Sequence, residues 1–330
     1  MPADLVSVIV PTCNRPKLLR RTLDSLAAQT LKEFEVVVVN DAGTPAPEIV
    51  AEYSRLDLKY LEHNERRGLG AARNTGIDNS RGRWLCYLDD DDTFAPQHLE
   101  QMVSALRGGA KLAHSDYYRV FERRRPDGEA VFEEEVPKEV RAVTPQVLLV
   151  QNVVPVCCVV HERACLEQTG KFDESLPVLE DHDLWIRFML AEFSFQRVAG
   201  ATVRIHVDLG AEQMTAKRFQ QFPEVQETIY RRYADQAGQV KGVVEEQRRY
   251  LMLMRWRARL ATAFLQASGG RSTLEIELGD VIYNRGFMGA LEWMLEETSA
   301  QVSGVYGKKQ LLRQLFKEFV KYPVPSWFRK

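Results

Sequence analysis

Val6-Ser7-Val8-Ile9-Val10-Pro11 is the stretch from which the fold is read. A β-branched run with so little polar alternation, ended by Pro11, marks a strand covered on both faces. Beyond it, Pro16–Gln29 places Leu18, Leu19, Leu23 and Leu26 at helical spacing, and Phe34–Asn40 carries a second apolar run, Val36-Val37-Val38-Val39. Strand, helix and strand in this order imply a parallel pair joined by a right-handed crossover.

The alternation continues outward. Pro47–Ser54 reads as a helix, Leu58–Leu61 as a short strand, the segment from Gly68 as a helix and Trp84–Leu88 as a strand, so the chain begins as a layered α/β domain. After Asp89–Asp92, Pro96–Leu106 reads as helix and Lys111–Val120 as strand. Glu122–Glu139 is a charged excursion, a hairpin tip or loop turning at Pro126-Asp127-Gly128. Val156–Val160 follows as a strand, Arg163–Thr169 as a short helix closed by Gly170, and Asp181–Ala191 as a helix bearing Leu184, Trp185, Phe188 and Met189. Phe195–His206 reads as one or two strands. Helical periodicity takes over near Ala216 and includes a long segment over Val240–Gln266, which divides the chain into 1–212 and 213–330.

Composition narrows the function. The chain has 330 residues with 44 basic and 46 acidic side chains, a balance that excludes a wholesale nucleic-acid binder. The charge is uneven, since residues 217–330 hold 19 basic against 12 acidic side chains. Five cysteines without a Cys-x-x-Cys pair give no zinc pattern, so reduced thiols are expected. The longest uncharged run, Ala142–Val160, is interrupted by Pro145, Gln146, Gln151, Asn152 and Pro155, which argues against a membrane span. With no signal-peptide pattern before Val6, a cytoplasmic chain is expected.

Tyr87-Leu88-Asp89-Asp90-Asp91-Asp92 sets four carboxylates at the end of an apolar strand. In parallel sheets, ligands gather at the carboxyl ends of strands. Crowded carboxylates repel one another, so the run suits an oxygen-seeking cation, Mg²⁺ or Mn²⁺, bridging to phosphates. A solvated turn capping the next helix is the plainer reading. Glu180-Asp181, at the start of a helix, reads either as a cap or as the site of a general base. Pro11-Thr12-Cys13-Asn14-Arg15 and Asp41 follow the first two strands and so share the edge of the acidic run. Asp41 suits a base imide or a sugar hydroxyl, or is simply part of a turn. Gly68-Leu69-Gly70-Ala71-Ala72-Arg73-Asn74 permits close backbone approach at a helix start, as a diphosphate would need.

Together, VSVIVPTCNR, VVVVNDAG, NERRGLGAARNTGI, YLDDDD followed by Pro96, and GKFDESLPVLEDHDLW resemble, in order and spacing, the family 2 glycosyltransferases over about 200 residues. The resemblance implies a GT-A, Rossmann-like nucleotide-sugar-binding domain with a mixed central sheet, followed by a mainly α-helical C-terminal region. It implies an inverting transfer from a UDP- or dTDP-sugar to a hydroxyl of a glycan or lipid-linked acceptor, assisted by Mn²⁺ or Mg²⁺. Pro11, Thr12, Asn14 and Arg15 would form the first nucleotide loop, Asp41 would meet the base, and Arg73 and Asn74 would lie beside the ribose and diphosphate. Asp89 and Asp90 fall on the ribose side of the Asp-x-Asp element. Asp91 would hold the metal, Asp92 would support it, and His206 would reach the metal or diphosphate. Asp181 would be the base, with Glu180 and Trp185 supporting it. A lone His206 on a strand also reads as structural. One departure is Ala42, where the family more often has Gly, which puts the geometry of that turn in question. A sugar nucleotidyltransferase and an inactive sugar-nucleotide-binding protein are the competing readings. The first would need a Gly-rich basic signature at the first strand, and the second would have lost the acids.

The C-terminal stretch 307–330 repeats Leu311, Leu312, Leu315, Phe316, Phe319 and Val320 at helical spacing among seven basic residues. Such a helix lies on an anionic membrane surface or docks on protein, including a second copy of the chain.

Overall fold

The computed structural model describes residues 4–124, 130–140, 143–208, 214–248, 250–252, 254–255 and 258. The helices expected within 259–330, the 307–330 stretch among them, lie outside these residues, as does the turn at Pro126-Asp127-Gly128.

The first unit is built on a nine-stranded mixed sheet. Its strands are β1 (Val6–Thr12), β2 (Phe34–Asn40), β3 (Asp57–Glu62), β4 (Trp84–Tyr87), β5 (Thr93–Phe94), β6 (Leu112–Arg124), β7 (Ala130–Lys138), β8 (Val159–Glu162) and β9 (Phe195–Asp208). They run in the order β3-β2-β1-β4-β8-β6-β9-β5, with β7 paired to β6. The first four are parallel, in the register Val6↔Phe34, Val6↔Trp84 and Glu35↔Asp57. At β8 the direction reverses, with Trp84 opposite Glu162.

The helices are α1 (Pro16–Ala27), α2 (Pro47–Ala51), α3 (Leu69–Asp78), α4 (His98–Arg107), α5 (Pro145–Leu148), α6 (Arg163–Thr169), α7 (Glu180–Leu190), α8 (Met214–Arg232) and α9 (Ala234–Gln239). Pro16 stands at the first turn of α1, where its missing N–H costs nothing, and Leu19, Thr22, Leu23 and Leu26 bury one face. Every residue of β1 and β2 is buried, as an uninterrupted β-branched pattern requires.

Two expectations are corrected. β1 runs through Pro11 to Thr12, because Pro11 lies past Ile9, the last β1 residue paired with β4, where no ladder donor is needed. The charged excursion at 122–139, by contrast, takes the hairpin form of its two readings, with the end of β6 and the body of β7 paired and most of the β7 side chains at least partly exposed. Val156–Cys158 forms a 3₁₀ turn instead of strand, closed by the Cys158 N–H to the Pro155 carbonyl, and β8 begins only at Val159. Phe195–Asp208 is one strand.

Residues 123–131, 208–232 and 244–330 form a second unit. Its described part holds α8, with Pro223 inside it, and a Glu227–Arg255 ion pair of 2.6 Å. Among the described residues no helix is long and apolar enough to cross a membrane. All five cysteines are free thiols, and Cys13 alone is not fully buried.

Candidate active site

The parallel strands bring their carboxyl ends to one edge, so the turns after β1, β2 and β4 meet there. In the turn after β4 the carboxylates part company. Asp90 and Asp92 point inward, whereas the Asp89 and Asp91 side chains keep 30% and 35% of their surface open. Thr12 donates to Asp90 Oδ2 at 2.6 Å, and Arg15 Nη1 reaches Asp90 Oδ1 at 3.2 Å and Asp91 Oδ2 at 2.7 Å. From α1, Arg21 donates to the Asp91 carbonyl at 2.7 Å and Thr22 to the Asp92 carbonyl at 2.8 Å. Burial, reinforced by the neighbouring Asp91 charge, pushes Asp90 up to about 6, and burial also raises Asp91 and Asp92. Two arginines, Arg15 and, at Asp89, Arg73, against four carboxylates leave a surplus of negative charge that a cation would relieve.

The second carboxylate pair opens α7. Leu179 takes the left-handed conformation at φ 61°, a strained choice for a leucine, and so turns the chain into the helix with Glu180 and Asp181 in its first turn. Glu180 is buried against Arg73 Nη1 at 2.5 Å, and Arg73 Nη2 donates to Asp89 at 2.7 Å. Arg73 thereby ties the acidic turn to α7. Asp181 is only partly buried. Its Oδ2 accepts from Asn152 Nδ2 at 2.8 Å and its Oδ1 from the His182 N–H at 2.8 Å. Burial raises the pKa of Asp181 against the opposing pull of Arg73 and Asn152, which suits a proton acceptor. Trp185 is fully buried below it and donates to the Val154 carbonyl at 3.1 Å.

Four expected ligand contacts are redirected into the protein. Arg73, expected at the diphosphate, has 1% of its side chain exposed and is consumed by Glu180 and Asp89, with its guanidinium 5.5 Å from the centre of the Phe172 ring. Asn74 zips α3 to the loop before α7, donating to the Phe172 carbonyl and to Glu174 at 2.9 Å each and accepting from the Phe172 N–H. Asp41 accepts from the N–H groups of Arg67 and Gly68 at 2.8 Å and from His63 at 2.7 Å, so it anchors the loop leading to α3. Burial opposes its charge, but these donors hold its pKa below the usual range. His206 faces Thr93 Oγ1 with Nε2 at 3.1 Å and Glu122 with Nδ1 at 3.2 Å, and its own N–H binds Asp92. Neither ring nitrogen is turned toward Asp91.

Asn14 sits at φ 58°, a conformation asparagine tolerates, and its side-chain oxygen accepts from Thr44, locking the first loop to the second. Ala42 adopts φ 54° in that second loop without glycine's freedom. The glycine that the turn cannot replace is Gly43, where an added Cβ would stand 2.5 Å from the Asn14 nitrogen. Asn152, Arg21 and Glu122 escaped the sequence reading. Asn152 sits in an uncharged run, and Arg21 and Glu122, 2.5 Å apart, are 101 residues apart in the chain, so no local spacing pairs them.

Among the described residues no three His, Cys, Asp or Glu side chains converge as a ready-made metal group. Mg²⁺ and Mn²⁺ need no such cage when one or two carboxylates and substrate phosphates share the coordination. The open Asp91 in a turn of excess negative charge fits that use.

Residues 7–165 match the family described as Glycosyl transferase family 2. Over these residues, just under half of its length, the chain is similar to that family. An uncharacterized glycosyltransferase of Rickettsia bellii is 29% identical over 226 residues, covering 64% of this chain, which spans 31% of that relative's length. Among solved structures, S. aureus TarS in complex with UDP-GlcNAc superposes with a TM-score of 0.52 at 19% identity, over 85% of this chain and 92% of that one. The mannosyltransferase PcManGT of Pyrobaculum calidifontis, in complex with GDP-Man and Mn²⁺, gives 0.51 at 18% identity, over 96% and 86%. These likenesses show the GT-A fold that the chain shares with them.

Proposed function

We propose that this chain is a family 2 glycosyltransferase that moves a sugar from a nucleoside diphosphate to an acceptor hydroxyl in one displacement, inverting the anomeric carbon, with Asp181 as general base. The observation that carries this reading is Asp181 itself, partly open at the head of α7 and held above the usual carboxylate range. The acceptor oxygen would pass its proton to Asp181 as it attacks, opposite the departing diphosphate. Glu180 stays paired with Arg73, so it positions the helix start and does not compete as a base. Thr12 and Arg15 set the carboxylates around the leaving group's seat, with Asp91 offered to a divalent cation. Such a cation, Mn²⁺ or Mg²⁺, supplies neutralisation of the charge growing on the diphosphate.

The donor class is a nucleoside diphosphate sugar, supported by relatives of the same fold bound to UDP-GlcNAc and GDP-Man. UDP- or dTDP-sugars fit the first expectation, and a glycan or lipid-linked saccharide is the acceptor class. An inactive binding protein is disfavoured by the survival of both Asp91 and Asp181. The test combines thermal shifts with UDP, dTDP and GDP, with and without Mn²⁺, and release of nucleoside diphosphate from the corresponding sugars. A nucleotide at ~100 Kd adds about 2.7 kcal/mol of stability. Stabilisation that needs Mn²⁺, together with diphosphate release, supports the reading. Absence of both overturns it.

A further inference from the structure

Asn152 lies between α5 and the 3₁₀ turn at Val156 and touches the proposed base directly. Its Nδ2 donates to Asp181 Oδ2 at 2.8 Å, and its Oδ1 accepts from the Val154 N–H at 3.2 Å. The second bond decides which end of the amide faces the carboxylate, because a reversed amide would set two acceptors against each other. Two further bonds tie the same segment to α7. His182 Nε2 meets the Leu148 carbonyl at 2.7 Å, and the Trp185 indole donates to the Val154 carbonyl at 3.1 Å. Asn152 is therefore fixed against the same helix that carries Asp181.

We propose that Asn152 is the positioning residue of the general base: it holds the Asp181 carboxylate in one orientation through Oδ2 while the His182 N–H holds Oδ1. A carboxylate offers about four acceptor sites, so these two donors leave room for the proton of an incoming hydroxyl. A neutral amide does this without cancelling the negative charge, as an arginine would. The charged groups acting on Asp181 are Arg73 from α3, Glu180 beside it on α7 and Asp89 from the turn after β4. All three stay in place when Asn152 is changed, so a shift in Asp181 reports Asn152 alone. The inference rests on the functional reading above for its catalytic consequence, but the contact itself does not.

The experiment uses the full chain as wild type, Asn152→Ala and Asn152→Asp, with Mn²⁺ and with UDP-GlcNAc or GDP-Man as probe donors and water as acceptor. In that reaction the bond from sugar C1 to the diphosphate oxygen breaks and its electron pair leaves with the diphosphate. A C1–O bond forms to water, whose proton goes to Asp181. A hydrogen bond to a charged group corresponds to roughly 10–100-fold in rate, so kcat should fall by that factor in Asn152→Ala and further in Asn152→Asp, with donor KM within about twofold. The acid limb of the kcat–pH profile should move to higher pH. An infrared carboxyl band, assigned by its loss in Asp181→Asn, should titrate at higher pH in both Asn152 variants, with or without a donor. Unchanged kcat with raised KM, or a lowered Tm with kcat and band midpoint unmoved, overturns the positioning role. A wild type that releases no diphosphate from any donor overturns the functional reading, and the infrared titration then still decides Asn152, with an unmoved midpoint refuting it.

Discussion

The two edges of the parallel half-sheet hold acidic residues in opposite ways. Where β1, β2 and β4 begin, Glu35 is met by the Ser7 hydroxyl at 2.6 Å and by Arg81 at 2.8 Å, and Glu162, opposite Trp84, is met by Arg83 and Lys111. Burial alone would raise both carboxyls, yet these donors hold both below the ordinary range. Where the same strands end, Asp90, Asp91, Asp92, Glu180 and Asp181 lie above it, and Asp41, with its three donors, stays below. The first edge is neutralised and serves stability. The second keeps a charge surplus, the reason to propose it as the working edge.

Breaking the working edge at its open carboxylates should give the largest effects. Asp91→Ala should abolish transfer and the Mn²⁺ dependence of nucleotide binding, read by calorimetry with and without the ion, whereas Asp92→Ala, buried and bound to the His206 N–H, should be milder. Wild-type turnover of Asp91→Ala at saturating Mn²⁺ would show that the surplus charge is idle. Asp181→Asn should lower kcat by about 10²–10⁴ while nucleotide binding survives. Loss of binding with turnover retained would make the start of α7 structural.

The residues that face inward at the working edge should fail differently. Arg73→Met strands two carboxylates, and breaking a buried ion pair from one side costs about 3–5 kcal/mol, so the variant should show a large drop in chemical-denaturation stability. Asp41→Asn keeps one acceptor for the Arg67 and Gly68 N–H groups but not the charge, and should cost about 1–3 kcal/mol. If Asp41 only anchors this loop, the affinity for UDP should change less than the stability does. A selective loss of UDP affinity at unchanged Tm would restore it as the base partner.

The same division explains what was legible in the sequence. The β-branched runs of β1 and β2 are buried on both faces and read directly, and each motif at the working edge follows a readable strand. β7 and the distal part of β6 were legible only as a hairpin tip or a loop, because strands with a solvated face and many charges resemble loops by composition. The candidate site residues were readable wherever a motif carries them, but their partners were not. Arg73 and Asn74 make their contacts within the protein, since only the three-dimensional structure shows that Glu180, Asp89 and Phe172 engage them. Asn152 and Glu122 belong to no motif, and each pairs across tens of residues.

The smallest effect is a matter of pH. A carboxylate whose pKa is lowered on folding adds stability that is present above its unfolded value, about 4.3 for glutamate, and is lost as pH falls below it. Glu35 and Glu162 therefore contribute an acid limb below about pH 4. A carboxylate raised on folding does the reverse: it binds its proton more tightly in the folded state, so stability rises as pH falls through its folded value. Asp90, pushed up to about 6, should thus make the protein slightly more stable at pH 5 than at pH 7 in the absence of divalent ions. The combined profile has a maximum near pH 5, with the two edges of the sheet responsible for its two sides. Glu35→Gln should flatten the acid side alone, and Mn²⁺ should flatten the neutral side alone by favouring the charged carboxylates. Denaturation midpoints measured from pH 3.5 to 7.5 on the wild type and Glu35→Gln, each with and without Mn²⁺, separate these contributions. A neutral side unaffected by the ion would mean that the raised carboxylates are not the ones a cation meets.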